Sequence, residues 1–120
     1  MSIDMRRART QFATQRINLW AGGKTKDHVK ALPVLVRTMG IASAIALEQN
    51  KPEGRELASD LVAWLTDEAL PGRLLGVEHA QVSQFLVQFT ALPSGETAHL
   101  ENEGLLFAET LKLIAGALKG

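Results

Sequence analysis

The sequence contains no cysteine, which excludes disulfide bonds and thiol catalysis and suits a cytosolic protein. No run of 18 apolar residues occurs, and the longest nearly uncharged stretch is interrupted by Arg37, so a packed helix is expected there and not a membrane span. Met1-Ser2-Ile3-Asp4 leads at once into Arg6, Arg7 and Arg9 with no apolar segment behind them, so no signal peptide is expected and the location expected is cytoplasmic. Net charge is missing as well: 13 basic residues balance 13 acidic ones, and no global field steers the chain toward a polyanion or a membrane surface. Internal repeats and low-complexity segments are also absent. What remains, 120 residues of which 46% are hydrophobic and 22% charged, describes one helical domain over residues 1–120 with a single core.

The neutral total conceals an asymmetry. Residues 1–40 carry eight basic residues against two acidic ones, a balance of +6, and residues 41–120 carry five against eleven, a balance of −6. Two readings follow. The charges are solvated helix surfaces, or the N-terminal side faces a polyanion while the remainder repels nucleic acid or meets a basic partner.

The organising stretch is Leu32 to Leu47. Leu32, Leu35, Val36, Met39, Ser43, Ala46 and Leu47 recur at helical spacing, and the length and Ala-rich second half favour helix over strand. Pro33 suits a first turn, where its missing N–H is harmless. Gly40 falls in the middle of this helix, which places another backbone close against it. Charge is sparse and small residues occupy several faces, so this helix is expected at the centre of the bundle.

Around it, residues 4–20 read as an amphipathic helix capped by Asp4, with Met5, Ala8, Phe12 and Leu19 on its stripe. Arg9 and Arg16 lie two turns apart beside that stripe and Arg6 farther round. They form a basic rail, or their stems snorkel over the core edge. Ala21 to Lys26 is a basic loop. Its Gly23-Lys24-Thr25 resembles the end of a phosphate-binding P-loop, but that motif needs glycine where Asn18 stands and a preceding strand where a helix stands, so nucleotide hydrolysis is excluded. A third helix over about 53–68 carries Leu57, Leu61, Trp64 and Leu65 on one stripe, and Trp64 there reads as core and not as a base-stacking platform. Leu70-Pro71-Gly72 is a turn. A fourth helix over about 73–92 presents Leu74, Leu75, Ala80, Val82, Phe85, Leu86 and Phe89. A fifth over about 97–119 carries Leu100, Gly104, Phe107, Leu111, Ile114 and Leu118, with Gly104 permitting close packing.

Catalytic and metal chemistry find no constellation. His28, His79 and His99 are scattered, and His99 with Glu103 offers two ligands at most. Glu101 and Glu103 point to different faces, so they are not a paired-carboxylate site. No serine or threonine sits in a nucleophile elbow. No cofactor, metal or catalytic residue is expected.

Three stretches carry a family resemblance. Leu32-Pro33-Val34-Leu35-Val36-Arg37-Thr38-Met39-Gly40-Ile41, running on through Ala44-Ile45-Ala46-Leu47, resembles the signature of the small α-helical subunit of type III-B CRISPR effector (Cmr) complexes. Leu61-Val62-Ala63-Trp64-Leu65 resembles that family's next helix, and Glu103 to Phe107 with Leu111 to Leu118 its C-terminal helix. Most of the chain is covered, in the right order. The family usually has Asn where Met39 stands, and Trp-Leu-Lys-Arg where Thr110-Leu111-Lys112-Leu113 stands. The small subunit of type III-A complexes is a neighbouring resemblance.

The resemblance implies an all-α bundle of five to six helices around a central apolar helix. It implies a non-catalytic subunit that stacks in copies of itself along a filament and associates with other subunits of the CRISPR effector complex, contacting guide RNA and target single-stranded RNA for antiviral defence, without a membrane. Arg37 and Lys112 come from the family motifs as RNA-binding positions; Arg6, Arg9, Arg16, Lys24, Lys26 and Lys30 come from the charge asymmetry. A helical protein–protein interaction adaptor without nucleic-acid contact is the alternative. A DNA-binding regulator lacks a helix-turn-helix pattern.

Overall fold

The computed structural model describes residues 5–20, 25–66 and 81–119. Asp4, the Ala21–Lys24 part of the basic loop, the Leu70-Pro71-Gly72 turn, Leu74, Leu75, His79 and Ala80 lie outside the described residues. The fold is all-α. In chain order the elements are α1 (Met5–Asn18), α2 (Thr25–His28), a 3₁₀ turn (Val29–Ala31), α3 (Leu32–Met39), α4 (Ile41–Gln49), a second 3₁₀ turn (Pro52–Gly54), α5 (Arg55–Thr66), α6 (Val82–Thr90) and α7 (Ser94–Lys119). No described helix is long and apolar enough to cross a membrane.

The expected continuous helix from Leu32 to Leu47 is two helices. Gly40 adopts φ +89° and ψ 160°, a conformation open essentially to glycine alone. Its own N–H still closes α3 on the Val36 carbonyl at 3.0 Å. The next N–H, that of Ile41, leaves the helical ladder and donates to Glu101 Oε2 at 2.7 Å. Glu101 thus caps α4 from α7, satisfying a first-turn donor and setting a carboxylate at the positive end of the helix dipole. The break resets the phase of the apolar stripe. Leu32 and Val36 are buried from α3, then Ile41, Ala44 and Ile45 from α4, while Met39 is 42% exposed and Ser43 is exposed. Pro33 sits in the first turn of α3 as its chemistry requires.

The second departure is at α1. Ala13, Ile17 and Trp20 are buried on one flank, Met5, Ala8 and Phe12 are partly buried on the other, and Leu19 is 72% exposed. At about 100° per residue, the middle of this face falls on Arg9 and Arg16. The helix therefore buries a stripe with charges at its centre, which an apolar periodicity places one flank off. Leu19 lies past the helix end at Asn18.

Helix α7 is the axis. Its 26 residues span about 39 Å, and α1, α2, α3, α4 and α5 all pack on it. Leu100, Phe107 and Leu111 are fully buried, as the stripe predicts, whereas Leu118 is 48% exposed. Gly104 packs against Ile41: a Cβ there would stand 2.6 Å from Ile41 Cδ1, which is the close approach expected of that glycine. Trp64 is fully buried and stacks on Phe107 with centroids 5.1 Å apart and planes 7° from parallel. Phe12 closes the trio at 5.6 and 5.8 Å. Phe85 of α6 is fully buried, and α6 packs on α4 and α5.

Gly40→Ala should lower stability by about 1–3 kcal/mol through backbone strain, with its new Cβ also 3.1 Å from Glu101 Oε1. A urea melt decides: a gain of about 1 kcal/mol, the helix-propensity difference, would mean that the helix runs through Gly40 in solution.

Candidate nucleic-acid interface

Of the eight basic positions expected to meet RNA, the seven among the described residues are used in different ways. Arg9 and Arg16 point inward. Arg9 donates from Nε to Glu103 Oε2 at 2.5 Å and from Nη2 to Oε1 at 3.1 Å, and the same Oε2 accepts the Trp64 indole N–H at 3.0 Å. Seven residues on, Arg16 donates from Nε to Asp60 Oδ1 at 2.6 Å, while Asp60 Oδ2 accepts the Trp20 indole N–H at 2.8 Å. Each carboxylate is thereby shared between one α1 guanidinium and one indole. The carboxylates are nearly inaccessible, with side-chain exposures of 6% and 3%, and unpaired they would be costly there. Burial pushes the Asp60 carboxyl above its ordinary range, against the opposing pull of Arg16 and Trp20.

Lys26, Lys30 and Lys112 converge. They line a cleft of about 100 Å³ between α2, the first 3₁₀ turn and the C-terminal end of α7, together with Asp27, Ala115 and Gly116. Lys26 Nζ donates to the Lys119 carbonyl at 3.2 Å, one of the carbonyls that a helix end leaves unsatisfied. Lys30 Nζ lies 3.6 Å from Asp27 Oδ1, both exposed, a pairing too solvated to fix either side chain. The sequence separates Lys26 from Lys112 by most of the chain; α2 packing on α7 brings them together.

Arg37 continues this side along α7. Its Nη2 is 3.6 Å from Glu109 Oε1, one turn before Lys112, and its guanidinium is exposed. Arg6 is exposed on α1 and is not gathered into the lysine cleft. Lys24 lies outside the described residues. No group of three or more His, Asp or Glu able to hold a metal occurs among the described residues. His99 is exposed, and Glu103 on the same helix is engaged by Arg9 and Trp64. His28 instead meets Glu48, Nε2 to Oε2 at 2.6 Å.

Sequence reasoning missed the carboxylates. Asp60 follows Leu57 by three and precedes Trp64 by four, and Glu103 stands in the same relation to Leu100 and Phe107. Both therefore occupy stripe positions of their helices, and an acid on an apolar stripe is the signal that could have found them.

A family model, the CRISPR-associated protein family Cas_Cmr5, matches residues 5–118. The chain belongs to this family. It is thus a CRISPR-associated small subunit of type III-B systems, and membership implies association with other subunits of a CRISPR effector. The Leu32–Leu47, Leu61–Leu65 and Glu103–Leu118 stretches all lie within the match. Comparison with curated proteins and with solved structures gives no match.

The paired arginines make folding sensitive to both. Arg9→Ala or Arg16→Ala should each destabilise by about 3 kcal/mol, since removing one partner strands a buried carboxylate; a thermal or urea melt checks it. Reversal to Glu should be worse still. Asp60 adds a pH dependence. Its folded state holds the proton more tightly, so its contribution is largest at acid pH. That contribution falls as pH rises from the ordinary value of 3.8 through the elevated folded one. Asp60→Asn should lose this slope, which then appears as the difference between the two stability curves.

Proposed function

We propose that this chain is a non-catalytic subunit whose copies stack along one flank of a type III-B RNA-guided effector, where it contacts the backbone of the guide–target RNA in cytoplasmic antiviral defence. The observation that carries the reading is the convergence of Lys26, Lys30 and Lys112 on one cleft, with exposed Arg37 farther along α7. Lysine ammonium groups are compact, rotatable point charges suited to phosphate oxygens and indifferent to base identity. A subunit with that chemistry needs no sequence preference, because base pairing with the guide supplies it. Exposed Arg6 extends the basic surface on α1, and Lys24 is a further proposed phosphate contact. Arg9 and Arg16 contribute mainly by holding α1 in place, and contact phosphate only as far as their carboxylate pairs leave them exposed.

The internal use of Arg9 and Arg16 is also what an adaptor without nucleic-acid contact would show, since less basic charge then remains outside. One preparation separates the readings. Lys26→Ala, Lys30→Ala and Lys112→Ala combined should leave incorporation into the effector intact. They should also weaken target-RNA capture and reduce the slope of log affinity against log salt by about 0.7 per lost single-strand contact. The loss should be equal for every target that pairs with the guide. Normal capture with failed incorporation would make the cleft a protein–protein interface.

A further inference from the structure

Glu48 has the least solvent of the described carboxylates. It is fully buried, it stands in the last turn of α4, and neither oxygen has a well-aligned hydrogen bond. Its one polar neighbour at close range is His28 Nε2, 2.6 Å from Oε2. The enclosure is built for this carboxylate: a Cβ on Gly54 would collide with Glu48 Oε2 and stand 2.6 Å from its carbonyl oxygen. Only glycine at the second 3₁₀ turn leaves room.

We propose that His28 and Glu48 form a proton-held latch that fastens α2, and with it the lysine cleft, to the end of α4, and that the latch releases as pH rises. This rests on the reading of the cleft as an RNA-backbone contact only for its biological sense, not for its mechanism. The argument is one of proton count. A nitrogen and an oxygen 2.6 Å apart are at hydrogen-bond distance and need a proton between them. With imidazolium and carboxylate, or with imidazole and carboxylic acid, the contact is attractive. When the pair gives up a proton, neutral His28 can still donate from Nε2, but the buried carboxylate then keeps its full charge with no opposite charge against it, and the contact weakens. Burial favours retention by raising the Glu48 carboxyl, an effect that Glu53 reinforces and that His28 and Lys51 oppose.

The latch sits between elements and not within one. His28 belongs to α2, Glu48 to α4, and α2 packs on the second 3₁₀ turn and on α7. The other groups around it are identifiable. Thr25 Oγ1 of α2 donates to Glu56 Oε1 of α5 at 2.9 Å, and Arg55 Nε to the Gln49 carbonyl at 3.4 Å. Lys26 is tied to the Lys119 carbonyl, Asp27 lies beside Lys30, and Lys112 faces the cleft. Helix α6, packed on α4, brings no titratable residue among 82–90. None of the other described groups named here is an imidazole. Lys26 sits two residues before the histidine and Lys30 two after it, so loosening α2 displaces both ends of the lysine pair.

The test is amide hydrogen exchange of the full chain from about pH 6 to about pH 9, expressed as protection relative to α7. It is run alongside binding of a mixed-sequence single-stranded RNA oligonucleotide. Protection over 25–31 should fall with rising pH, by up to about tenfold per pH unit for one linked proton, while α5 and α7 hold theirs. Glu48→Gln replaces the carboxylate with an amide whose oxygen accepts from neutral His28, so protection there should become flat with pH. Flat protection over 25–31 in the unaltered chain overturns the latch without reference to any variant. A pH dependence that persists in Glu48→Gln overturns it too, because His28 would then act alone. If 25–31 loosens with pH while the oligonucleotide binds at neither end of the range, the latch stands and the RNA reading falls.

Discussion

The Glu103 carboxylate is the point on which the bundle closes. It takes a bidentate guanidinium from α1 and an indole N–H from α5 while standing on α7, at the edge of the Phe12–Trp64–Phe107 cluster. Three helices distant in sequence meet through one carboxylate, with both of its oxygens engaged. Such a charge contributes little net stability over a well-packed apolar substitute, yet its partners cannot be lost singly without large cost. The Asp60 group repeats the arrangement nearer the end of α1, so the helix is held in register at two points two turns apart. A one-residue slip would set both guanidinium groups about 100° away from their acids.

This explains why the charge asymmetry along the sequence does not translate into an equally asymmetric surface. Part of the N-terminal positive excess neutralises part of the C-terminal negative excess inside the molecule, across α1–α5 and α1–α7. Glu109 meets Arg37 at the surface by the same logic. Basic character gathers where α2 and the first 3₁₀ turn meet the end of α7, where among the described residues no buried acid answers Lys26, Lys30 or Lys112, while Arg6 stays exposed on α1. The fold thus concentrates exposed cations by subtraction.

Helix content and most of the core were legible in the sequence. Leu57, Leu61, Trp64 and Leu65 lie where a period of 3.6 puts them, and so do Leu100, Phe107 and Leu111; Gly104 makes the close contact its position implied. Three features were not legible, and for one shared reason. The inward turn of Arg9 and Arg16, the phase change at Gly40 and the burial of Glu48 all depend on a polar group supplied by another element: Glu103 and Asp60, Glu101, and His28. Periodicity describes one helix at a time and scores a charge as outward-facing, so a buried ion pair is invisible until its partner is placed. The lysine cleft was half legible. Its residues could be chosen from charge, but their meeting depends on α2 folding back on the far end of α7.

The break at Gly40 has a consequence for how the chain can change length. In a continuous helix, one inserted residue would rotate everything downstream by about 100° and turn Ile41, Ala44 and Ile45 out of the core. Here the orientation of α4 is referred to Glu101 on α7 and not to the preceding turn of α3. An insertion or deletion beside residue 40 can therefore be taken up in the irregular link, with the two halves keeping their own faces toward α7. The stretch that looks in sequence like the most rigid rod of the molecule is, in this sense, its expansion joint.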